Sequence, residues 1–149
     1  MKKLLLAITL LFSIATLTMS CDKETVIDEN GLPTTATQFL NQNFKGIKVL
    51  SVVEEKEGLL GKEYDVLLDN GNKVKFDKNG DWLDIEAQND SASIPDSLVP
   101  TSILSYVKEK YPNAGINSLE KERHGYDVEL TNGLDLVFDT KGNFVRIDG

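Results

Sequence analysis

The chain of 149 residues has one cysteine and one histidine, and its basic residues are outnumbered by acidic ones. A lone Cys21 excludes an internal disulfide and a site built from several thiolates. A lone His124 excludes most histidine-based metal sites and catalytic triads. Sixteen Lys and Arg against 24 Asp and Glu give a net charge of −8, which repels a phosphate backbone. We therefore expect no nucleic-acid partner, no metal and no cofactor.

The N-terminus has the pattern of an export signal. Two lysines precede an almost unbroken apolar run from Leu4 to Leu17, which is too short to span a bilayer as a helix. A small residue directly before Cys21 resembles a bacterial lipoprotein box, although the leucine stands four residues before the cysteine instead of three. We predict a signal peptide over 1–20, then a lipidated cysteine and flexible tether over 21–31. The alternative is an incidental thiol beside an ordinary cleavage site.

The rest of the chain contains an internal repeat. Residues of its first part recur 67 positions later near the start and 62 positions later further on. The matching pairs include Pro33 and Pro100, Phe39 and Tyr106, Phe44 and Tyr111, Tyr64 and Tyr126, Asn70 and Asn132, Phe76 and Phe138, Gly80 and Gly142, and Trp82 and Phe144. We predict two copies of one unit, over 32–88 and 99–149, joined by a linker over 89–98.

Each unit is predicted to be a helix followed by four strands. Pro33 and Pro100 stand where a helix begins, and apolar residues follow at helical spacing. Alternating apolar and polar residues then predict strands, and Asn-Gly at 70–71 and at 132–133 predicts tight hairpins. The predicted fold class is α+β, with one eight-stranded antiparallel sheet and both helices on one face.

The second unit resembles a known family. Its quoted segments are Tyr111-Pro112-Asn113-Ala114, Gly125-Tyr126-Asp127-Val128-Glu129-Leu130, Phe138-Asp139 and Gly142-Asn143. They resemble the PepSY-like repeats of secreted Bacteroidetes proteins, which are similar in fold to the beta-lactamase inhibitor protein. The resemblance implies a duplicated unit with a concave sheet. It also implies a periplasmic or surface role in binding or inhibition, with no catalytic residues.

Enzyme and metal sites find little support in the residues. His124 lies beside a glycine at a turn, where a surface position is expected. The run from Asp77 to Asp81 superficially resembles the start of a calcium loop. However, Trp82 and Gln88 stand where that template has Gly and Glu, so a hairpin turn is favoured.

Strand alternation divides the side chains between two faces. Those predicted to face the helices are Tyr64, Val66, Leu68, Val74, Phe76, Leu83, Ile85, Tyr126, Val128, Leu130, Leu136, Phe138, Val145 and Ile147. The outer face then holds Trp82, Phe144, Leu67, Val137 and Arg146 among charges, a composition typical of a protein-binding surface. The alternative is that Trp82 and Phe144 cover a sheet edge or the seam between units, because a bulge reverses facing.

These observations predict a non-enzymatic lipoprotein of the cell envelope, facing the periplasm or the cell surface. It would bind a protein or peptide on its outer sheet face, with inhibition of a protease or other hydrolase as one mode. Two alternatives stay open at this point. One is a structural or accessory subunit of an envelope complex, and the other is a binder of a small ligand or calcium.

Overall fold

The computed structural model describes residues 24–57 and 61–148. The predicted signal peptide and the predicted lipidation site at Cys21 lie outside these residues. The elements in chain order are β1 (Thr25–Ile27), α1 (Thr34–Asn43), β2 (Val49–Glu57), β3 (Gly61–Leu68), β4 (Lys73–Asp77), β5 (Trp82–Glu86), α2 (Thr101–Lys110), β6 (Ile116–Glu122), β7 (Gly125–Leu130), β8 (Asp135–Asp139) and β9 (Phe144–Asp148). Neither of these two helices is long and apolar enough to cross a membrane.

The strands form one open antiparallel sheet in chain order from β1 to β9. It has nine strands instead of the predicted eight, because Thr25–Ile27 pair with Val52–Glu54 of β2. These residues fall in the stretch for which a flexible tether was predicted, and the structure places them in the sheet. Each helix is followed by four strands, so the predicted α+β class is confirmed.

A single row of apolar residues crosses the helix side of the sheet. Strand pairing joins its members, which are Val52, Val66, Val74, Ile85, Leu119, Val128 and Leu136. All of them are buried. Two aromatic pairs lie on the same side. The ring of Phe39 on α1 packs edge-on against that of Phe76, with ring centres 5.7 Å apart, and the ring of Tyr106 on α2 packs in the same way against that of Phe138, at 5.5 Å. Both helices therefore cover the same face, as the alternation in β3, β4, β7 and β8 predicts.

The predicted facing of Trp82 and Phe144 is wrong. Trp82 pairs with Phe76, and the register shifts by one residue before the next pair, so Leu83 forms a bulge. The same shift occurs in β9, where Val145 is the extra residue after Phe144. Each bulge turns the preceding aromatic toward the helices.

The contacts of these two aromatics confirm the reversal. The Trp82 ring lies 6.5 Å from Phe39, and the Phe144 ring stacks on Tyr106 at 4.7 Å. Val145 and Ile147, predicted for the core, are 55% and 52% exposed. They lie on β9, the last strand of the sheet, which the helices do not cover completely.

The β4–β5 turn packs directly on the start of α1. Gly80 has a φ of +87°, and a Cβ at this position would lie 2.6 Å from the backbone nitrogen of Ala36. No real Cβ approaches a backbone atom so closely, so the turn would have to move away from the helix. Gly133 has a similar φ of +78°, but a Cβ there meets nothing within 4 Å.

Substitution of these two glycines distinguishes the cost of backbone strain from the cost of close packing. We expect Gly133→Ala to lower the free energy of unfolding by about 1–2 kcal/mol, the cost of a left-handed alanine. We expect Gly80→Ala to cost about 2 kcal/mol more, because overpacking adds to that strain. Urea denaturation of both variants measures the difference. Equal losses would show that the turn does not depend on its contact with α1.

Candidate functional site

The face of the sheet opposite the helices is the candidate site, and we call it the open face. Two rows of side chains cross it from β2 to β9, and the helices of the described chain pack on the other side. The central row is Val53, Asp65, Lys75, Asp84, Glu120, Asp127, Val137 and Arg146. The lower row is Ser51, Leu67, Lys73, Glu86, Ser118, Glu129, Asp135 and Asp148. Together they hold eight carboxylates and three basic side chains.

Lys75 lies among three carboxylates on the part of the open face formed by β2 and β3. Its Nζ lies 3.4 Å from a Glu55 carboxylate oxygen and 3.5 Å from oxygens of Glu63 and Asp65. Burial lowers the pKa of Lys75, but the charges of Asp65, Glu55 and Glu63 outweigh it and the pKa is raised. Lys73 bridges to Glu86 at 3.1 Å. In this half of the face, the carboxylates of Glu55, Glu63, Asp65 and Glu86 each lie within 3.5 Å of a lysine.

The middle of the face carries carboxylates that repel one another. Asp84, Glu120 and Asp127 stand opposite each other on three adjacent strands. Burial, followed by the charges of Glu120 and Glu86, raises the pKa of Asp84 to about 6. Burial and the charges of neighbouring acids also raise the pKa of Glu120. Like charges directly opposite each other destabilise a sheet, so this region favours a cationic partner.

A groove of about 400 Å³ lies beside this region, over β6 to β9. Its apolar base includes Val137, which is only 2% exposed although it lies on the open face. The polar side chains that line it are Ser118, Glu120, Asp127, Glu129, Asp135 and Asp148. Arg146 borders the groove and pairs with Asp148 at 3.0 Å. The rim of the groove is mainly negative, which favours a basic side chain.

Three of the five predicted binding residues lie on the open face. They are Leu67, Val137 and Arg146, whereas Trp82 and Phe144 face the helices. Leu67 is 37% exposed and lies on β3, five strands away from Val137 on β8, so the two are about 24 Å apart at normal strand spacing. The structure brings Val137 and Arg146 together as a pair on β8 and β9, but it does not bring Leu67 to them.

The acidic centre was missed because it depends on the pairing of β5 with β6. Alternation alone places Asp84 and Asp127 on the outer face. It does not show that Glu120 stands between them, since that follows from a long-range register. The sequence does contain one indication of this centre, which is the excess of acidic residues at the outward-facing positions of β5 to β8.

The turn at Asp77 is a hairpin turn, as predicted. One carboxylate oxygen of Asp77 accepts hydrogen bonds from the backbone N–H groups of Asn79 and Asp81, at 2.8 and 3.0 Å. Asp139 does the same for Lys141 and Asn143 in the last hairpin. His124 is exposed and its Nε2 lies 2.8 Å from Asp127. No group of His, Cys, Asp and Glu within residues 24–57 and 61–148 is arranged to hold a metal ion.

A family model matches residues 62–146 of the chain, and its description is "Putative beta-lactamase-inhibitor-like, PepSY-like". The chain belongs to this PepSY-like family. The match runs from the second residue of β3 into β9 and includes most of the open face. No curated protein sequence matches the PepSY-like chain.

Three solved Bacteroides structures share the fold. One from Bacteroides vulgatus, a "putative periplasmic protein of unknown function", has a TM-score of 0.79 and 31% identity over 85% of this chain and 100% of that chain. One from Bacteroides thetaiotaomicron, a "putative calcium-regulated periplasmic protein", has a TM-score of 0.77 and 36% identity over 85% and 97%. A DUF2874 family protein of Bacteroides vulgatus, also described as periplasmic, has a TM-score of 0.76 and 35% identity over 87% and 99%.

The raised pKa of Asp84 predicts the sign of a pH effect. Because the folded-state pKa of about 6 exceeds the ordinary value of 3.8, ionised Asp84 opposes folding, and stability rises as pH falls from 7 towards 4. We expect Asp84→Asn to raise the free energy of unfolding by about 1–2 kcal/mol at neutral pH, allowing for partial solvent exposure, and by much less at pH near 4.

Urea denaturation across this pH range measures the effect. Glu29→Gln is the matched control, since it removes one negative charge from an exposed position outside the open face. A stability gain for Asp84→Asn that does not change with pH would contradict the assignment.

Proposed function

We propose that this PepSY-like chain is a non-enzymatic periplasmic protein that binds a partner protein on its open face. The observation that supports the proposal is the row of Asp84, Glu120 and Asp127, three carboxylates that stand opposite one another beside an acidic groove. This arrangement has a cost in an isolated chain, because like charges directly opposite each other repel. Contact with basic side chains would lower that cost.

The charge distribution favours a partner with a basic surface. The chain has a formal net charge of −8, and the face from β5 to β9 has Arg146 as its one basic side chain in the two rows. Complementary charge of this kind accelerates encounter and selects against acidic partners. The family description as beta-lactamase-inhibitor-like makes a secreted hydrolase the partner class we favour, with inhibition following from occupation of its surface.

The N-terminal residues support a location for this binding. A signal peptide over 1–20 would direct export of the chain, and a lipid on Cys21 would hold the domain at an envelope membrane. The periplasmic descriptions of the three Bacteroides structures agree with this location. The two helix-plus-four-strand halves would be copies of one unit that have diverged on this face, since Lys75 and Val137 occupy corresponding strand positions.

An affinity experiment with two charge-matched variants tests the proposal. The baits are residues 22–149, the open-face variant (Glu120→Gln, Asp127→Asn, Glu129→Gln) and a control variant (Glu29→Gln, Asp96→Asn, Glu109→Gln). The control removes the same number of charges from exposed positions off the open face. We expect a partner from periplasmic extract, identified by mass spectrometry, to be retained by the parent and the control. The open-face variant should lose at least about tenfold in affinity, since several charge pairs are removed.

Two outcomes would contradict this proposal. Equal retention by both variants would exclude the open face as the binding site. Recovery of the same envelope proteins by all baits in fixed ratio would favour an accessory subunit instead.

Calcium binding is a second candidate function. It is favoured by the 36% identical relative described as calcium-regulated, together with three adjacent carboxylates in the central row. The described side chains are not arranged as a metal site, so Asp84, Glu120 and Asp127 would have to turn toward one point. Calcium prefers several oxygen ligands of this type and tolerates irregular geometry.

A thermal-unfolding series tests this second candidate. Calcium at tenfold above its dissociation constant should raise the melting temperature by about 5 °C, because binding to the folded state adds about 1.4 kcal/mol. The shift should disappear in the variant Asp84→Asn/Glu120→Gln. Magnesium is the control for general charge screening. An equal shift with magnesium, or an undiminished shift in the variant, would rule out calcium on this face.

A further inference from the structure

A second groove, which we call the edge groove, lies on the helix side between α1 and the start of β2. Its volume is about 870 Å³, within the range of peptide and ligand sites. Its floor is apolar and includes the buried side chains of Leu40, Phe44 and Leu68. At its mouth stands Leu50, which is 63% exposed. A large exposed leucine beside an apolar floor is typical of a surface that another segment of chain covers.

The other half of the fold shows what covers the corresponding place. Leu50 is the bulged residue between the pairs Val49–Leu68 and Ser51–Leu67. Asn117 is the bulged residue between the pairs Ile116–Leu130 and Ser118–Glu129. The two positions are therefore equivalent in the ladders that follow α1 and α2. Asn117, unlike Leu50, is only 3% exposed.

Asn117 is buried because an extended segment between β5 and α2 lies over it. The backbone N–H groups of Ala87 and Ile94 donate to the carbonyl oxygens of Asn117 and Ile116, both at 2.9 Å. The Asn117 side-chain amide donates in turn to the carbonyl oxygens of Asn89 and Ala92, at 2.7 and 2.9 Å. Ile94 enters the core at 2% exposure. We call residues 87–94 the covering segment.

The first half has no such segment because its connection is shorter. Only residues 28–33 lie between β1 and α1, whereas residues 87–100 lie between β5 and α2. β1 pairs with Val52–Glu54 alone. Within the described residues, Val49–Ser51 therefore have no strand partner on that side, and their edge of β2 is open to another chain.

We propose that the edge groove binds an extended peptide segment of a partner protein, composed of small polar residues and one branched aliphatic side chain. The covering segment has this composition, with Ile94 as its one large apolar residue among Ala, Ser, Asn, Gln and Asp. The peptide would add to the open edge of β2 at Val49–Ser51 and place its aliphatic residue on the floor. This site lies on the helix side of the sheet, and binding there does not depend on a partner at the open face.

The covering segment itself supplies the probe. A synthetic peptide of residues 87–95 is titrated into the nitrogen-15-labelled full chain and followed by amide chemical shifts. We expect the amides of Thr37, Asn41 and Leu50 to shift, with weak affinity on the order of 1 mM for so short a peptide. Amides around Asn117 should not respond, because that place is already filled by the chain's own segment. A probe with Ile94→Asp should lose binding at least fivefold.

Two variants in the groove give opposite expectations. Leu50→Asn installs the amide that Asn117 uses, so we expect it to tighten peptide binding about fivefold, the worth of one net hydrogen bond. Thr37→Trp places a large ring on the exposed groove wall and should weaken binding about tenfold or more. Thr37→Ala at the same helix position should bind like the parent, and retained amide dispersion in all three variants shows that they fold.

Several outcomes would overturn the proposal. One is the absence of groove shifts at saturating probe, and another is equal affinity of the parent, Leu50→Asn and Thr37→Trp. Shifts of the same amides on raising the protein concentration alone would assign the groove to a second copy. Shifts with octanoate but not with the peptide would assign it to a hydrocarbon ligand.

Discussion

The pairing of β5 with β6 is the contact on which the rest of the structure depends. Three residue pairs join the two halves of the sheet, and the middle pair is Ile85 with Leu119, both fully buried. This pair continues the apolar row without interruption from Val52 to Leu136, so both helices cover one core instead of two small ones. A four-stranded half with one helix would bury little apolar surface, and small cores are marginally stable.

The same pairing is unfavourable on the open face, because it brings like charges together there. Since side chains alternate along a strand, the residues beside Ile85 and Leu119 point away from the helices, and they are Asp84 and Glu120. The joint that closes the core therefore forces two carboxylates together on the open face. On the helix side, Lys121 lies 3.6 Å from the centre of the Trp82 ring and links β6 to β5 by a cation–π contact. The β5–β6 pairing therefore combines stabilising contacts on the helix side with charge repulsion on the open face. Local conflicts of this kind are expected at functional sites.

Local chemistry made much of the fold predictable. Alternation in Val66, Val74 and Phe76 correctly assigned the core face, and Asn-Gly at 70–71 correctly marked a hairpin because such turns are decided by adjacent residues. Trp82 and Phe144 were assigned to the wrong face because a bulge adds one residue that no local pattern reveals. β1 was missed because three residues of polar and apolar character form a strand only when β2 is beside them. The acidic centre was missed for the same reason, since it requires the register of β5 on β6.

The asymmetry between the two halves follows from one difference in chain length. The longer connection before α2 folds back over β6 and satisfies its edge, whereas the short connection before α1 leaves part of β2 uncovered. β2 contributes Val52 to the helix side and Val53 to the open face, and Ser51 lines the edge groove while also beginning the lower row of the open face. The acidic part of the open face begins three strands away, on β5, so an extended peptide in the groove and a basic protein there would not compete for space.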